Sequence, residues 1–158
     1  GKTYGAFSWG DTRFVILDCG EDKPDDQPVY CGLNDFSAFR QQQYDFLKEE
    51  KKSREFKSAN RRVLVNHIPL WGNDDKYQPS SELWTPLLKE SSFDIGLSGH
   101  THRFRYHPAE DVSNPFPICI GGAPNVSSAT MMVLSKKSNS LSLRVLNAKG
   151  EELGAWSL

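Results

Sequence analysis

Three short apolar runs divide the first two thirds of the chain, and amphipathic stretches lie between them. The runs cover residues 13–18, 62–66 and 93–97, and unbroken apolar runs of this length are typical of strands that are covered on both faces. An aromatic segment at residues 3–9 precedes the first run across a turn at Gly10. Two extended segments joined by such a turn predict a β-hairpin.

A helical pattern fills the first interval. Phe39, Gln43, Phe46 and Leu47 recur at helical spacing with charged residues elsewhere, behind a capping residue at Asp35 or Ser37. This spacing predicts an amphipathic helix that ends within residues 53–55. We interpret its aromatic stripe as part of the core and not as a cofactor contact.

The second interval also predicts helix, and the order of the elements then indicates the fold class. Ser80 or Ser81 caps one helical turn, and Pro86 offers a second helix start before the third run. Strands that alternate with helices favour an α/β fold, in which a mixed β-sheet with parallel members carries helices on one face.

The last third of the chain has a different pattern. After a short apolar run at residues 117–120, apolar and polar residues alternate in three segments joined by polar turns. The three segments are residues 129–135, 140–148 and 152–156. Alternation of this kind predicts antiparallel C-terminal strands, which we expect to close the sheet.

Composition limits the classes of partner. The chain has 158 residues and a net charge of −1, which is enough for one domain with a core and favours neither nucleic acid nor a membrane as partner. No run approaches the ~20 apolar residues of a membrane span. The three cysteines show no Cys-x-x-Cys spacing, so the sequence predicts neither a zinc knuckle nor a redox motif.

Histidines stand at the ends of two of the apolar runs. Asn66-His67-Ile68-Pro69 ends the second run, and Gly99-His100-Thr101-His102 follows the third. Ligands bind beyond the carboxyl ends of strands in open α/β sheets, and neutral imidazoles on rigid backbone are common metal ligands. His67, His100 and His102 are therefore the candidate metal ligands; a pair of solvated loop histidines is the alternative for the His-x-His motif taken alone.

Other polar residues are weaker candidates. The acidic loop at residues 19–34 lacks the glycine and terminal glutamate of an EF-hand loop, so we interpret it as solvated. Asp74 and Asp75 are interpreted as part of an exposed loop tip, with an approach to a metal site as the alternative. Arg103 has two interpretations, a contact with a phosphate oxygen or a surface salt bridge. His107 is interpreted as a solvated loop histidine, with a substrate contact as the alternative.

The two histidine motifs together resemble the last two metal motifs of the calcineurin-like metallophosphoesterases, and the purple acid phosphatase-like branch is the most similar. The order of the surrounding elements matches along nearly the whole chain. The resemblance implies half of a four-layer α/β/β/α sandwich with a two-metal site, in which His67 and His100 bind one metal and His102 the other. The two ions would be iron, zinc or manganese, and a bridging hydroxide would attack a phosphate ester in line.

The sequence also departs from that family. The family's first three motifs, Asp-x-His, Gly-Asp-x-x-Asp or -Tyr, and Gly-Asn-His, do not occur, and the Gly-Asp at Asp11 belongs to the predicted hairpin. We therefore expect residues 1–158 to be the C-terminal part of a single metallophosphoesterase domain, with Gly1 left by a cleavage. We expect phosphoesterase activity from the full-length protein, and none from this chain alone, which would hold no metal or one bound weakly.

Two alternatives to the phosphoesterase hypothesis come from different classes of protein. One is a non-catalytic binding or structural domain on the same scaffold, which the sequence leaves open. The other is a metallo-β-lactamase-like zinc hydrolase, which is disfavoured because Phe104 and Arg105 stand where that family's motif needs aspartate and histidine.

The resemblance also implies partners and a compartment. The partners are a phosphate-ester substrate and the N-terminal half of the same domain. Without that half, strands at residues 14–17, 63–65 and 95–97 are too apolar to leave one sheet face in water, which predicts a homodimer through the uncovered face. Because the purple acid phosphatase-like branch is often exported, the parent protein is expected in the periplasm or outside the cell.

Overall fold

The computed structural model describes residues 2–158, so Gly1 and the cleavage expected there lie outside it. The strands are β1 (Gly5–Trp9), β2 (Thr12–Leu17), β3 (Arg61–Asn66), β4 (Ile95–Ser98), β5 (Arg105–His107), β6 (Ile118–Ile120), β7 (Thr130–Lys137), β8 (Ser140–Asn147) and β9 (Glu152–Ser157). The helices are α1 (Phe36–Glu50), α2 (Arg54–Ser58) and α3 (Pro79–Lys89). Within residues 2–158, no helix is both long enough and apolar enough to cross a membrane.

Strands β1 to β6 form a mixed sheet with the strand order β1-β2-β3-β4-β6-β5. Its four central strands β2, β3, β4 and β6 run parallel, and the edge strands β1 and β5 pair antiparallel. The α/β fold class is therefore confirmed, as is the hairpin of β1 and β2. Strand β5 was not predicted from the sequence, because its three residues carry no periodic signal.

One face of this sheet carries the helices, as expected. Val15, Leu64 and Ile118 point to the same side of their strands and lie in a core cluster with Leu47 of α1 and Trp84 of α3. All five side chains are buried. Because side chains alternate between the two faces of a strand, the residues beside them in sequence must be covered from the other side.

The C-terminal strands cover that other side, and the expectation that they close the sheet is wrong. They form a separate antiparallel sheet with the order β7-β8-β9. Leu141, Leu143 and Val145 alternate along β8 and pack in one cluster with Val63 and Ile95 of the first sheet. A strand with a single apolar face is stabilised by packing on the face of another sheet, which edge pairing does not provide.

This packing also corrects the predicted uncovered face. Val63 and Ile95 are wholly buried within the single chain, so the sheet is not open over β3 and β4. It is open over β1 and β2, where Phe7 is 45% and Trp9 79% exposed. Phe7 stacks on Phe14 with 4.9 Å between ring centroids, and this corner borders a groove of about 620 Å³.

The homodimer stays a prediction, now confined to this corner. Trp9 borders the groove on a strand whose outer edge is unpaired, and an exposed apolar patch beside an open edge favours association. We expect the chain to sediment as a dimer at tens of micromolar, and Trp9→Ser to shift it to monomer. Val126→Ser removes an equally exposed side chain away from the groove and should leave the dimer intact. A monomeric native chain would contradict the prediction.

Two helix predictions also needed correction. The first helix ends at Glu50, and α2 begins separately because the Ser53 hydroxyl accepts a hydrogen bond from the Phe56 amide at 3.0 Å. The second helix is continuous through Pro86. Burial of Trp84 and Leu88 on its inner side stabilises the helix enough to offset the hydrogen bond that proline removes.

Candidate functional site

Two neighbouring parallel strands place the histidine motifs side by side. Strand β3 pairs with β4 so that Val65 lies opposite Leu97, and both strands end within two residues of these positions. The loops that follow are joined directly, because the Gly99 amide donates to the His67 carbonyl at 2.9 Å. The site therefore lies at the carboxyl edge of the sheet, where the sequence placed it.

The structure brings His67 and His100 together. Their ring centroids are 5.5 Å apart and the ring planes are almost perpendicular, at 85°. His102 follows two residues later with an exposed side chain. Within residues 2–158, no three His, Cys, Asp or Glu side chains are arranged to hold a metal ion. The three histidines as metal ligands stay a prediction.

The backbone of the His-x-His turn is strained. His100 and His102 have φ angles of +67° and +57°, in the left-handed region that non-glycine residues rarely adopt. Between them, the Thr101 amide donates to the Gly99 carbonyl at 2.8 Å. Strain of this kind costs about 1–3 kcal/mol for each residue and clusters at functional sites.

The Asn66 side chain links the carboxyl ends of β3 and β4. Its buried side chain donates to the Ile68 carbonyl at 2.5 Å and accepts from the Ser98 hydroxyl at 3.3 Å. The first bond shapes the loop that carries His67, and the second fixes that loop against β4. The sequence identified Asn66 as part of the motif and did not show this positioning role.

We expect Asn66→Ala to lower the free energy of unfolding by about 1–3 kcal/mol, because the Ser98 hydroxyl loses its partner and the half-buried Ile68 carbonyl keeps only the weak Cys19 thiol donor. Denaturant unfolding measures the change. Asn139→Ala is the matched control, since the Asn139 side chain is exposed and makes no hydrogen bond within residues 2–158. Equal stability of the two variants would contradict the role assigned to Asn66.

Two carboxylates approach His100 from loops that are distant in sequence. Asp75 Oδ2 lies 2.9 Å from His100 Nε2, so the interpretation of Asp75 as a remote loop tip is wrong, while Asp74 is exposed as expected. The second carboxylate, Asp22, is near enough to interact with the charge of His100. The Lys23 ammonium and, to a smaller degree, the charge of His100 hold the pKa of the Asp22 carboxyl below its usual value. The acidic loop at 19–34 therefore reaches the site.

Helix α1 holds the first part of that loop in place. Arg40 is 1% exposed, and its guanidinium donates to the carbonyls of Cys19 and Glu21, each at 2.9 Å. Gln43 bonds the backbone of Asp18 twice, accepting from its amide at 2.7 Å and donating to its carbonyl at 2.6 Å. Burial raises the pKa of the Cys19 thiol to about 11, which keeps it protonated.

A polar cleft of about 370 Å³ opens beside His100. Its charged lining comes from Asp74, Asp75, Arg103 and Arg105, together with His100 itself. The fourth histidine does not face this cleft. His107 belongs to β5 and its Nδ1 lies 2.7 Å from Asp111, so it is not a solvated loop residue.

Comparisons with known proteins support the fold alone. No protein-family model and no curated protein matches the sequence. Among solved structures the chain is similar to GAP50, described as the anchor in the inner membrane complex of Plasmodium, with 16% identity and a TM-score of 0.57. That match covers 98% of this chain and 52% of the GAP50 chain. The chain therefore spans about half the length of the structure it matches.

Weaker likenesses involve two further proteins. Vps29 from Entamoeba histolytica complexed with Zn²⁺ matches with 14% identity and a TM-score of 0.32, over 66% of this chain and 72% of that one. A protein from Streptococcus pneumoniae described as a predicted phosphoesterase matches with 9% identity and a TM-score of 0.31, over 92% and 95%. Similarities this low carry no argument about the chemistry of this chain.

Proposed function

We propose that this chain is the histidine-bearing part of a metal-dependent phosphoesterase of the calcineurin-like type, in its purple acid phosphatase-like branch. The observation that carries the proposal is the junction of β3 and β4, where His67 and His100 meet with ring centroids 5.5 Å apart. Asp75 adds a carboxylate at 2.9 Å from His100. The resemblance of the two histidine motifs to the family's metal motifs supports it further.

The donor set in this chain fits part of a two-metal site. Imidazoles suit zinc and iron, and we propose that His67 and His100 bind one ion and His102 the other. Neutral histidines bring no negative charge to offset two cations, so carboxylate ligands must join them from residues other than these. Once bound, iron, zinc or manganese would supply a hydroxide at neutral pH and polarise the phosphoryl oxygens.

We propose that the remaining ligands belong to an N-terminal part of the same domain, and that residues 1–158 form its C-terminal part. The absence of the family's first three motifs from the sequence supports this division. So does a fold match that covers about half of a longer chain. We also propose that the parent protein is exported to the periplasm or the cell exterior, because members of the purple acid phosphatase-like branch are often exported. Fractionation of cells would test this location.

Metal content tests the function. For this chain we expect equilibrium dialysis and elemental analysis to find no zinc or one weakly held ion. His67→Ala should remove that ion, and His107→Ala, a histidine committed to Asp111, should not. For the longer protein we expect two ions per chain and hydrolysis of p-nitrophenyl phosphate. A longer protein that holds two ions and cleaves no phosphate ester would contradict the proposal.

A non-catalytic scaffold is the second candidate function. One observation favours it: GAP50, the solved structure whose match covers 98% of this chain, is described as an anchor. The same analysis separates the two candidates. A longer protein without bound metal, even after incubation with zinc and manganese, would favour a binding or structural role for this fold.

A further inference from the structure

Building on the proposed function, we propose that Arg103 and Arg105 form an anion subsite beside His100 that selects dianionic phosphate monoesters over diesters. Both guanidinium groups line the polar cleft of about 370 Å³ that also contains His100. Arg103 directly follows the His-x-His turn, and Arg105 is the first residue of β5. The cleft thus joins the candidate metal site to two exposed arginines.

These two arginines differ from most others because their side chains have no protein partner within residues 2–158. Arg13 and Arg61 pair with Glu50 and Asp94. Arg40, Arg62 and Arg144 bond carbonyl groups or a glutamate. Arg54 shares the lack of a partner and is exposed like Arg103 and Arg105, but it lies on α2 and borders no described cleft. Unpaired guanidinium groups in a cleft are suited to bind phosphate oxygens through two parallel hydrogen bonds.

The backbone that carries the two arginines is held firmly. Tyr106 stacks on Trp156 of the second sheet with 4.0 Å between ring centroids, and His107 pairs with Asp111 at 2.7 Å. At the other end, the Arg103 amide donates to the Thr101 hydroxyl at 3.4 Å. A backbone held in this way does not have to be ordered when an anion binds, so the entropy lost is that of the two side chains.

The balance of charge in the cleft favours a dianion. Asp75 opposes anions, but His100 already engages its carboxylate at 2.9 Å, which leaves the exposed Asp74 as the one free acid of the lining. Arg103 and Arg105 are therefore only partly offset. A second negative charge on the ligand adds attraction to both guanidinium groups, and a monoester carries that charge above a pKa of about 6 while a diester does not.

Binding to the 158-residue chain without metal tests this subsite separately from catalysis. At about pH 8, we expect phenyl phosphate to shift the amide NMR signals of residues 99–106 saturably and diphenyl phosphate to bind at least about tenfold more weakly. Arg103→Gln and Arg105→Gln should each weaken phenyl phosphate binding about tenfold, the loss of one charge-assisted pair of bonds. Arg144→Gln, an exposed arginine on the second sheet, should change nothing.

Three results would overturn the subsite: no saturable shift in the native chain, equal affinity for the two esters, or an equal effect of Arg144→Gln. The proposed function is tested independently by metal content and hydrolysis. A chain that binds phenyl phosphate in this way, within a longer protein that holds no metal, would retain the subsite and reject the phosphoesterase.

Discussion

An Arg40→Met variant is expected to unfold with a free energy about 2–5 kcal/mol below that of the native chain. Arg40 is almost wholly buried and makes no ion pair within residues 2–158. Its charge is instead solvated by the carbonyls of Cys19 and Glu21 and by the aromatic faces of Phe36 and Tyr77. Methionine fills much of the volume but leaves the Glu21 carbonyl without this donor and the Cys19 carbonyl with only the Ser80 hydroxyl, at 3.5 Å.

Two opposing effects determine the size of this loss. Each buried carbonyl that loses its partner costs about 1–3 kcal/mol, while removal of a buried charge recovers part of its desolvation penalty. We expect the first effect to be larger, because the loop beyond Asp18 depends on these bonds. Arg40→Lys should recover little stability, since one ammonium group cannot reproduce the fixed fork of a guanidinium.

Denaturant unfolding and hydrogen exchange measure the effect. We expect Arg40→Met to lower the midpoint and to speed exchange of the amides at residues 18–22, which lie beside the candidate site. Arg54→Met is the matched control, because Arg54 is exposed and should change stability by no more than about 0.5 kcal/mol. An Arg40→Met chain as stable as the native one would contradict this prediction. It would show that the desolvation penalty of the buried guanidinium equals the stabilisation from its hydrogen bonds.

The second large effect concerns the catalysis that we propose for a longer protein containing this chain. We expect His100→Ala to lower kcat/KM for p-nitrophenyl phosphate by at least about 10²–10³-fold, the loss typical when one group that stabilises transition-state charge is removed. His100 contacts both His67 and Asp75, so its removal takes one proposed ligand away and frees the carboxylate beside it. Metal content should fall together with activity.

His107→Ala is the control for this experiment. His107 lies in the same region of the fold but is held by Asp111, and its loss should leave kcat/KM within a few-fold of the native value. A His100→Ala protein with full metal content and native activity would remove His100 from the proposed site. A protein that loses metal and activity together would support the assignment.

Local patterns in the sequence predicted most of the elements. The apolar runs at 13–18, 62–66 and 93–97 became three adjacent parallel strands, because an unbroken run is buried on both faces wherever it lies. Asp35 caps α1 as expected, its carboxylate accepting from the Ala38 amide at 3.1 Å. Strand-end motifs also placed His67 and His100 correctly, because neighbouring parallel strands end at the same edge of a sheet.

The sequence by itself determined most of the strands, the approximate helices and the edge on which the histidines meet, since these follow from periodicity and from residues near in the chain. Only the tertiary structure decided which segments pack against these strands and which side chains surround the histidines. It placed the C-terminal strands on the sheet face, brought Asp75 to His100, and left Arg103 and Arg105 unpaired in the cleft. These outcomes depend on packing between segments that are distant in sequence, which local patterns do not encode.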